Sequence, residues 1–315
     1  RKVALFCNVD IESVIESRDV DTIYEVPIMM QKEKLDETII KKTGIKNTNK
    51  IEMQPWIDFV NKLKNPKRKV NISIVGKYVE LKDAYKSIIE SLTHSGVKHD
   101  TKVNLTFIHS EELKDSNSKE LMQNSSGILV APGFGHRGIE GKLTAVKYAR
   151  ENNIPFFGIC LGMQCAVIEF ARNVLGMENA HSTEMNKFTS FPVIDLMEEQ
   201  KGITEIGGSM RLGEYPCIVK NNTNASEAYN KKKIEERHRH RYEFNNQFKE
   251  VFEKSGMIAS GINPETNLVE IIEIPELRWF VGVQFHPEYK STVMNPHPLF
   301  IKFVEASLKY QKEKK

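Results

Sequence analysis

From residue 70 onward, short apolar runs alternate with segments whose apolar residues recur at helical spacing. VNISIV (70–75), KVNLTFI (102–108), GILVAP (127–132) and IPFFGI (154–159) predict strands, and 83–96, 110–123, 138–152 and 161–176 predict helices. The first and last of these helices run into Gly96 and Gly176, residues suited to closing a helix. Short apolar strands separated by helices predict a parallel sheet covered on both faces. Beyond residue 190 the strand-like groups become shorter and more hairpin-like, at 203–213, 215–220, 240–244, 257–261, 268–274 and 278–285. A closing helix over 296–310 carries Leu299, Phe300, Phe303, Val304 and Leu308 on one face. The expected fold is α/β: a mostly parallel central sheet flanked by helices, with an antiparallel extension. The polar stretch 221–233 reads as a mobile surface loop, and no internal repeat is visible.

Residues 1–45 begin with a strand-like run, VALFC (3–7), and end with a helical pattern over 35–45 that stops at Gly44. This piece is too small to build its own core and reads as the tail of another domain. The stretch 46–69 holds NTNK, Trp56 in a short amphipathic segment, and KNPKRK; its composition predicts a linker, with the main domain over 70–312. With no initiator methionine, the chain is expected to be a fragment of a longer protein.

Composition narrows the classes. The 315 residues are 40% hydrophobic and 28% charged, ordinary for a globular protein, and a net charge of +3 gives no reason to expect nucleic acid. No apolar run is long enough to cross a bilayer, and the N-terminus has no signal-peptide pattern. Cys7, Cys160, Cys165 and Cys217 are scattered, without a metal-type pair. They fit a reducing, cytoplasmic compartment in which one cysteine can be catalytic, and no metal is expected.

The candidate chemistry begins at Phe157-Gly158-Ile159-Cys160-Leu161-Gly162-Met163-Gln164, where a buried strand runs straight into a cysteine and a helix follows. Such an elbow projects a nucleophile from the carboxyl edge of a parallel sheet, and the helix N-terminus favours the thiolate. Alone, a cysteine after a strand is as readily a small buried hydrophobe. A second strand ends in His286-Pro287-Glu288. The histidine can move the thiol proton to a leaving amine while the glutamate fixes its tautomer. Acyl transfer also needs oxyanion donors, and the N–H groups of Gly133 and Leu161 are the candidates.

These motifs, PFFGICLGMQ and VGVQFHPE, resemble those of the class I, triad-type glutamine amidotransferases, whose fold is flavodoxin-like. GKYVELKDAYKSIIESL, GFGHRGIEGK, STEM, MRLGEYPC and ERHRHRYEFN further resemble the glutaminase domain of the CTP synthase family, and SRDVDTIYEVP resembles the end of that family's amidoligase (synthetase) domain. The resemblance implies glutamine hydrolysis by Cys160, His286 and Glu288, with ammonia passed to a synthetase site that aminates UTP to CTP using ATP and Mg2+. It implies that Gly133 and Leu161, Gly162, Met163 and Gln164 line the glutamine and oxyanion pocket. Glu184 would hold the α-amino group and Arg241 would meet the carboxylate. Arg137 and Glu140 would belong to a lid through which GTP activates the reaction. It further implies a homo-oligomer, a tetramer when the missing synthetase domain is present, with no cofactor in this part and neither nucleic acid nor membrane as partner.

One departure stands out. The family's usual turn reads Pro-Gly-Gly-Phe-Gly, whereas here it is Ala131-Pro132-Gly133-Phe134-Gly135. Proline has no N–H and a fixed φ, so a peptide flip around 132–133 becomes harder while the Gly133 donor is retained. Two alternatives were weighed against these residues: an amidotransferase serving GMP or anthranilate synthesis, opposed by RHRHRYE and KYVELKDAYKS, and a catalytically silent module, opposed by the intact triad.

Overall fold

The computed structural model describes residues 1–46, 51–196 and 210–314. The chain divides into two compact units, Arg1–Pro66 and Lys67–Lys315.

The first unit is helical: α1 (Lys2–Cys7), α2 (Val26–Lys32), α3 (Leu35–Thr43) and α4 (Gln54–Lys64). The run VALFC is therefore a helix and not a strand. A five-residue apolar run has no period of its own, and Asn8 closes this one in the left-handed conformation, donating its N–H to Ala4 and Leu5. Gly44 ends α3 in the same conformation, as its position predicts. The stretch read as a linker contains α4, whose Trp56 indole donates to the Tyr24 carbonyl at 2.7 Å. Phe59 meets the Tyr24 ring edge-on at 5.1 Å, and Lys64 bridges Asp21 and Glu25 at 2.8 Å each. The NTNK segment lies outside the described residues.

The second unit runs β1 (Arg68–Gly76), α5 (Lys86–Lys98), β2 (Thr101–His109), α6 (Asp115–Met122), β3 (Gly127–Val130), α7 (Ile139–Glu151), β4 (Phe156–Ile159), α8 (Leu161–Asn173), β5 (Ala180–Ser182) and β6 (Phe191–Leu196). It continues with β7 (Arg211–Val219), α9 (Asn224–Tyr229), β8 (Lys233–His240), β9 (Tyr242–Phe244), α10 (Lys249–Lys254), β10 (Ile258–Ile262), β11 (Val269–Glu273), β12 (Phe280–Val283) and α11 (Pro298–Glu313). Among the described residues, nine strands form one sheet in the order β2-β1-β3-β4-β12-β11-β10-β7-β8. The first five are mutually parallel, and from β12 onward the pairing is antiparallel, as the pattern of runs predicts. A small sheet, β5-β6-β9, stands apart.

Alternation along β4 divides the core between the two faces of the sheet. Phe156 stacks on Phe280 at 4.4 Å in one cluster, with Met163 and Val167 of α8. Phe157 points the other way and meets Phe300 of α11 edge-on at 5.2 Å. The parallel register pairs Ile159 with Val283 and Val130 with Gly158. The residues after β3, β4 and β12 therefore emerge side by side at one carboxyl edge, where open α/β sheets place their sites.

The stretch 221–233 is not a plain loop. Thr223 caps α9 by accepting from the Ser226 N–H, and the Asn224 and Ala225 N–H groups donate to Glu273 at 2.8 and 3.0 Å. Of the group expected at 203–213, only the last residues are described, as the start of β7; residues 197–209 lie outside. Among the described residues, no helix is long and apolar enough to cross a membrane.

Candidate active site

Cys160 joins β4 to α8 with φ 52° and ψ −105°, a conformation a side chain rarely adopts. Such strain is kept where the surroundings enforce it, and here two glycines make room for it. A Cβ on Gly158 would lie 2.7 Å from the Gly162 carbonyl carbon, and one on Gly162 would collide with the Val130 carbonyl. The Cys160 N–H donates to Val283 at 2.7 Å, fixing the elbow to β12. Leu161 is the first residue of α8, so its N–H has no acceptor within the helix and is available to an oxyanion.

His286 follows β12 by three residues, and its N–H donates to the Arg237 carbonyl of β8 at 2.8 Å. Its Nδ1 lies 2.7 Å from Glu288 Oε1, and the Tyr289 ring stacks on the imidazole at 5.2 Å, inclined by 11°. Burial alone would push the imidazole pKa down. Interaction with Cys160, followed by that with Glu288, outweighs this and raises it to about 11. The surroundings thus favour the protonated imidazole, held on its Nδ1 side by Glu288.

Gly133, Phe134, Cys160, Gln164, Glu184, His240, Arg241 and Tyr242 line one small cavity. Five residues proposed from the sequence thus meet at one place: Gly133, Cys160, Gln164, Glu184 and Arg241. Glu184 is tied to the oxyanion turn, because its Oε1 accepts from the Gly135 N–H at 2.9 Å. Gln164 donates to the Tyr242 carbonyl at 2.9 Å and to Gln284 Oε1 at 3.2 Å, while Gln284 donates to the Cys160 sulfur at 3.7 Å.

Other expected residues lie elsewhere. Leu161, Gly162 and Met163 contribute no side chain to the cavity lining; Met163 is fully buried in the core. Arg137 sits over the Tyr78 ring at 5.5 Å and 3.5 Å from Glu111. Glu140 makes a two-pronged pair with Arg172 at 3.0 and 3.1 Å, away from the cavity lining. The sequence reading missed Phe134, His240, Tyr242 and Gln284. For Gln284 the signal was available, since a residue just after β12 must lie beside the one just after β4.

The basic run RHRHRYE resolves into two faces. On β8, Arg237 and Arg239 point outward, whereas Glu236, His238 and His240 are buried. Behind the cavity, Arg211 lies 2.7 Å from Glu270 and 3.4 Å from Glu243, and His238 Nδ1 and His240 Nε2 are 2.8 Å apart. Burial drives both imidazoles towards the neutral form, and also raises the pKa values of Glu243 and Glu270. The buried face is a polar core, not a phosphate cradle. Among the described residues, no group of three or more His, Cys, Asp or Glu side chains is arranged to hold a metal ion.

Comparison with known proteins agrees with this geometry. The family model of class I glutamine amidotransferases matches residues 80–306, and that of the CTP synthase N-terminus matches residues 1–45. A CTP synthase of Cytophaga hutchinsonii is 59% identical over 100% of this chain, and one of Bacteroides fragilis is 55% identical over 98% of it. The chain spans 58% of the length of each of these relatives. Among solved structures, the glutaminase domain of Trypanosoma brucei CTPS with bound acivicin superposes with a TM-score of 0.72. The two are 37% identical, and the match covers 76% of this chain and 94% of that one.

Proposed function

The chain belongs to the class I glutamine amidotransferase family, and on that premise we propose that it hydrolyses glutamine and supplies ammonia for the amination of UTP to CTP. The observation that carries the first half is the strained Cys160 elbow facing a histidine already paired to Glu288 at 2.7 Å. In this reading the Cys160 thiolate attacks the side-chain amide carbon. His286 then delivers its proton to the departing nitrogen, which leaves as ammonia. The resulting thioester is cleaved by water, from which His286 takes a proton as the sulfur leaves. The N–H groups of Leu161 and Gly133 stabilise the oxyanion of both steps. Glu184 receives the α-ammonium and Arg241 the α-carboxylate, charges matched to the two ends of an amino acid.

The second half rests on the relatives named CTP synthase and on the match of residues 1–45 to that family's N-terminal model. Residues 1–45 are then the end of the synthetase domain, 46–69 the linker, and 70–312 the amidotransferase domain of a longer, cytoplasmic, tetrameric enzyme. ATP and Mg2+ would act in the remainder of that polypeptide, and no residue of this chain is assigned to them. Arg137 and Glu140 are the proposed GTP-responsive segment. Arg137 supports this by being half exposed beside the Tyr78 ring, and Glu140 by its position at the start of α7.

The test is ammonia release from glutamine by the wild-type chain and by Glu288→Gln, each with and without GTP. Wild type is expected to hydrolyse glutamine slowly and to speed up with GTP. Loss of the carboxylate should lower kcat roughly 10²- to 10⁴-fold with little change in KM, because it orients the base and does not bind substrate. An unchanged kcat in Glu288→Gln would contradict the assignment.

A further inference from the structure

Lys142, in the first turns of α7, has no solvent exposure and is among the largest fully buried side chains of the chain. Its Nζ donates to the Ala131 carbonyl at 2.5 Å. On the far side of the same turn, the buried Lys77 donates to the carbonyls of Phe134 at 2.5 Å and Gly135 at 2.9 Å. Gly133 lies between them: a Cβ built there would sit 3.8 Å from Lys142 Nζ and 3.9 Å from Lys77 Cε. Two ammonium groups thus grip three carbonyls of one five-residue turn. Pro132, having no N–H, cannot donate a hydrogen bond within that turn.

The titratable groups that act most on Lys142 are Cys165, Lys77 and Cys160, and among the described residues no carboxylate is hydrogen-bonded to it. Cys165 is a neutral thiol, held up to about 11 chiefly by burial. Burial pushes Lys142 down to about 8. A buried lysine without a carboxylate partner carries a desolvation cost that its hydrogen bond to Ala131 offsets only in part. Something other than stability must favour an ammonium there.

We propose that Lys142 is a positioning residue of the oxyanion turn, holding the Ala131 carbonyl so that the Gly133 N–H faces the oxygen that becomes the oxyanion when Cys160 attacks. Together with Lys77 it also places positive potential beneath the developing oxyanion. This rests on the glutaminase reading, and the experiment separates the two. Wild type and Lys142→Met are compared in three ways: binding of the γ-aldehyde analogue of glutamine, which forms an oxyanion on adding to Cys160; alkylation of Cys160 by iodoacetamide, which forms none; and thermal unfolding. Lys142→Met is expected to bind the aldehyde about 10- to 100-fold more weakly, less than the roughly 10²- to 10³-fold cost of removing an oxyanion donor outright. Its alkylation rate should fall by far less than its aldehyde binding, and its melting temperature should stay close to that of wild type. Equal aldehyde binding by the two proteins would overturn the proposal, as would parallel losses of binding, alkylation and melting temperature, which mark a merely structural lysine. If wild type is alkylated at Cys160 yet does not bind the aldehyde, the glutaminase reading itself fails, and this inference with it.

Discussion

Cys160→Ser is expected to abolish glutamine hydrolysis, lowering kcat by roughly 10⁴-fold or more while leaving the melting temperature unchanged. The hydroxyl is a far weaker nucleophile than a cysteine sulfur and is much harder to deprotonate. The elbow is held by backbone contacts, by the Cys160 N–H to Val283 and by close packing at Gly158 and Gly162, so the substitution leaves its shape intact. Ammonia release measured alongside a melting curve separates loss of chemistry from loss of fold. A serine variant that retained a substantial fraction of wild-type hydrolysis would exclude Cys160 as the nucleophile.

The largest effect on stability should come from Arg211→Met. Arg211 is buried and is the cation held between Glu243 and Glu270, with His238 and His240 driven neutral beside them. Removing one partner of a buried ionic cluster typically costs about 3–5 kcal/mol, because the charge left behind is uncompensated. The sign of the pH dependence follows from the two carboxyls, whose folded pKa values are raised above the usual range by burial. Without Arg211 they rise further. A carboxyl that binds its proton more tightly in the fold gives stability that is fully present below its unfolded pKa and is lost as pH rises through its folded one. The deficit of Arg211→Met should therefore be large at pH 8 and shrink towards pH 5. Urea unfolding of both proteins across that range checks it, and a deficit that grows on acidification would contradict the picture of a buried, charge-balanced core.

The sequence exposed the parallel half of the sheet because strands buried on both faces need nearly continuous apolar runs, and VNISIV, GILVAP and IPFFGI have few polar interruptions. The order of the antiparallel half was hidden: β7 pairs with β8 across α9, and α9 owes its cap partly to Glu273, a carboxylate far along the chain. Polar composition made 221–233 look like loop, and an apolar run made α1 look like strand; in both, local composition outweighed contacts that only the fold supplies. The candidate centre stood out in the sequence because chemistry and backbone demand coincide there. A cysteine between glycines at a strand end, and a His-Pro-Glu at another, each require a special local geometry. Lys142 shows the opposite case, since a lysine within a helical run reads as solvent-facing until packing buries it.

Treatment of the chain with an electrophilic glutamine analogue, followed by peptide mass mapping, tests the central claim most directly. The account predicts an adduct on Cys160 that excess glutamine slows, with Cys165 and Cys217 unmodified and any labelling of the exposed Cys7 indifferent to glutamine. Modification of Cys165 or Cys217 with Cys160 untouched would contradict it.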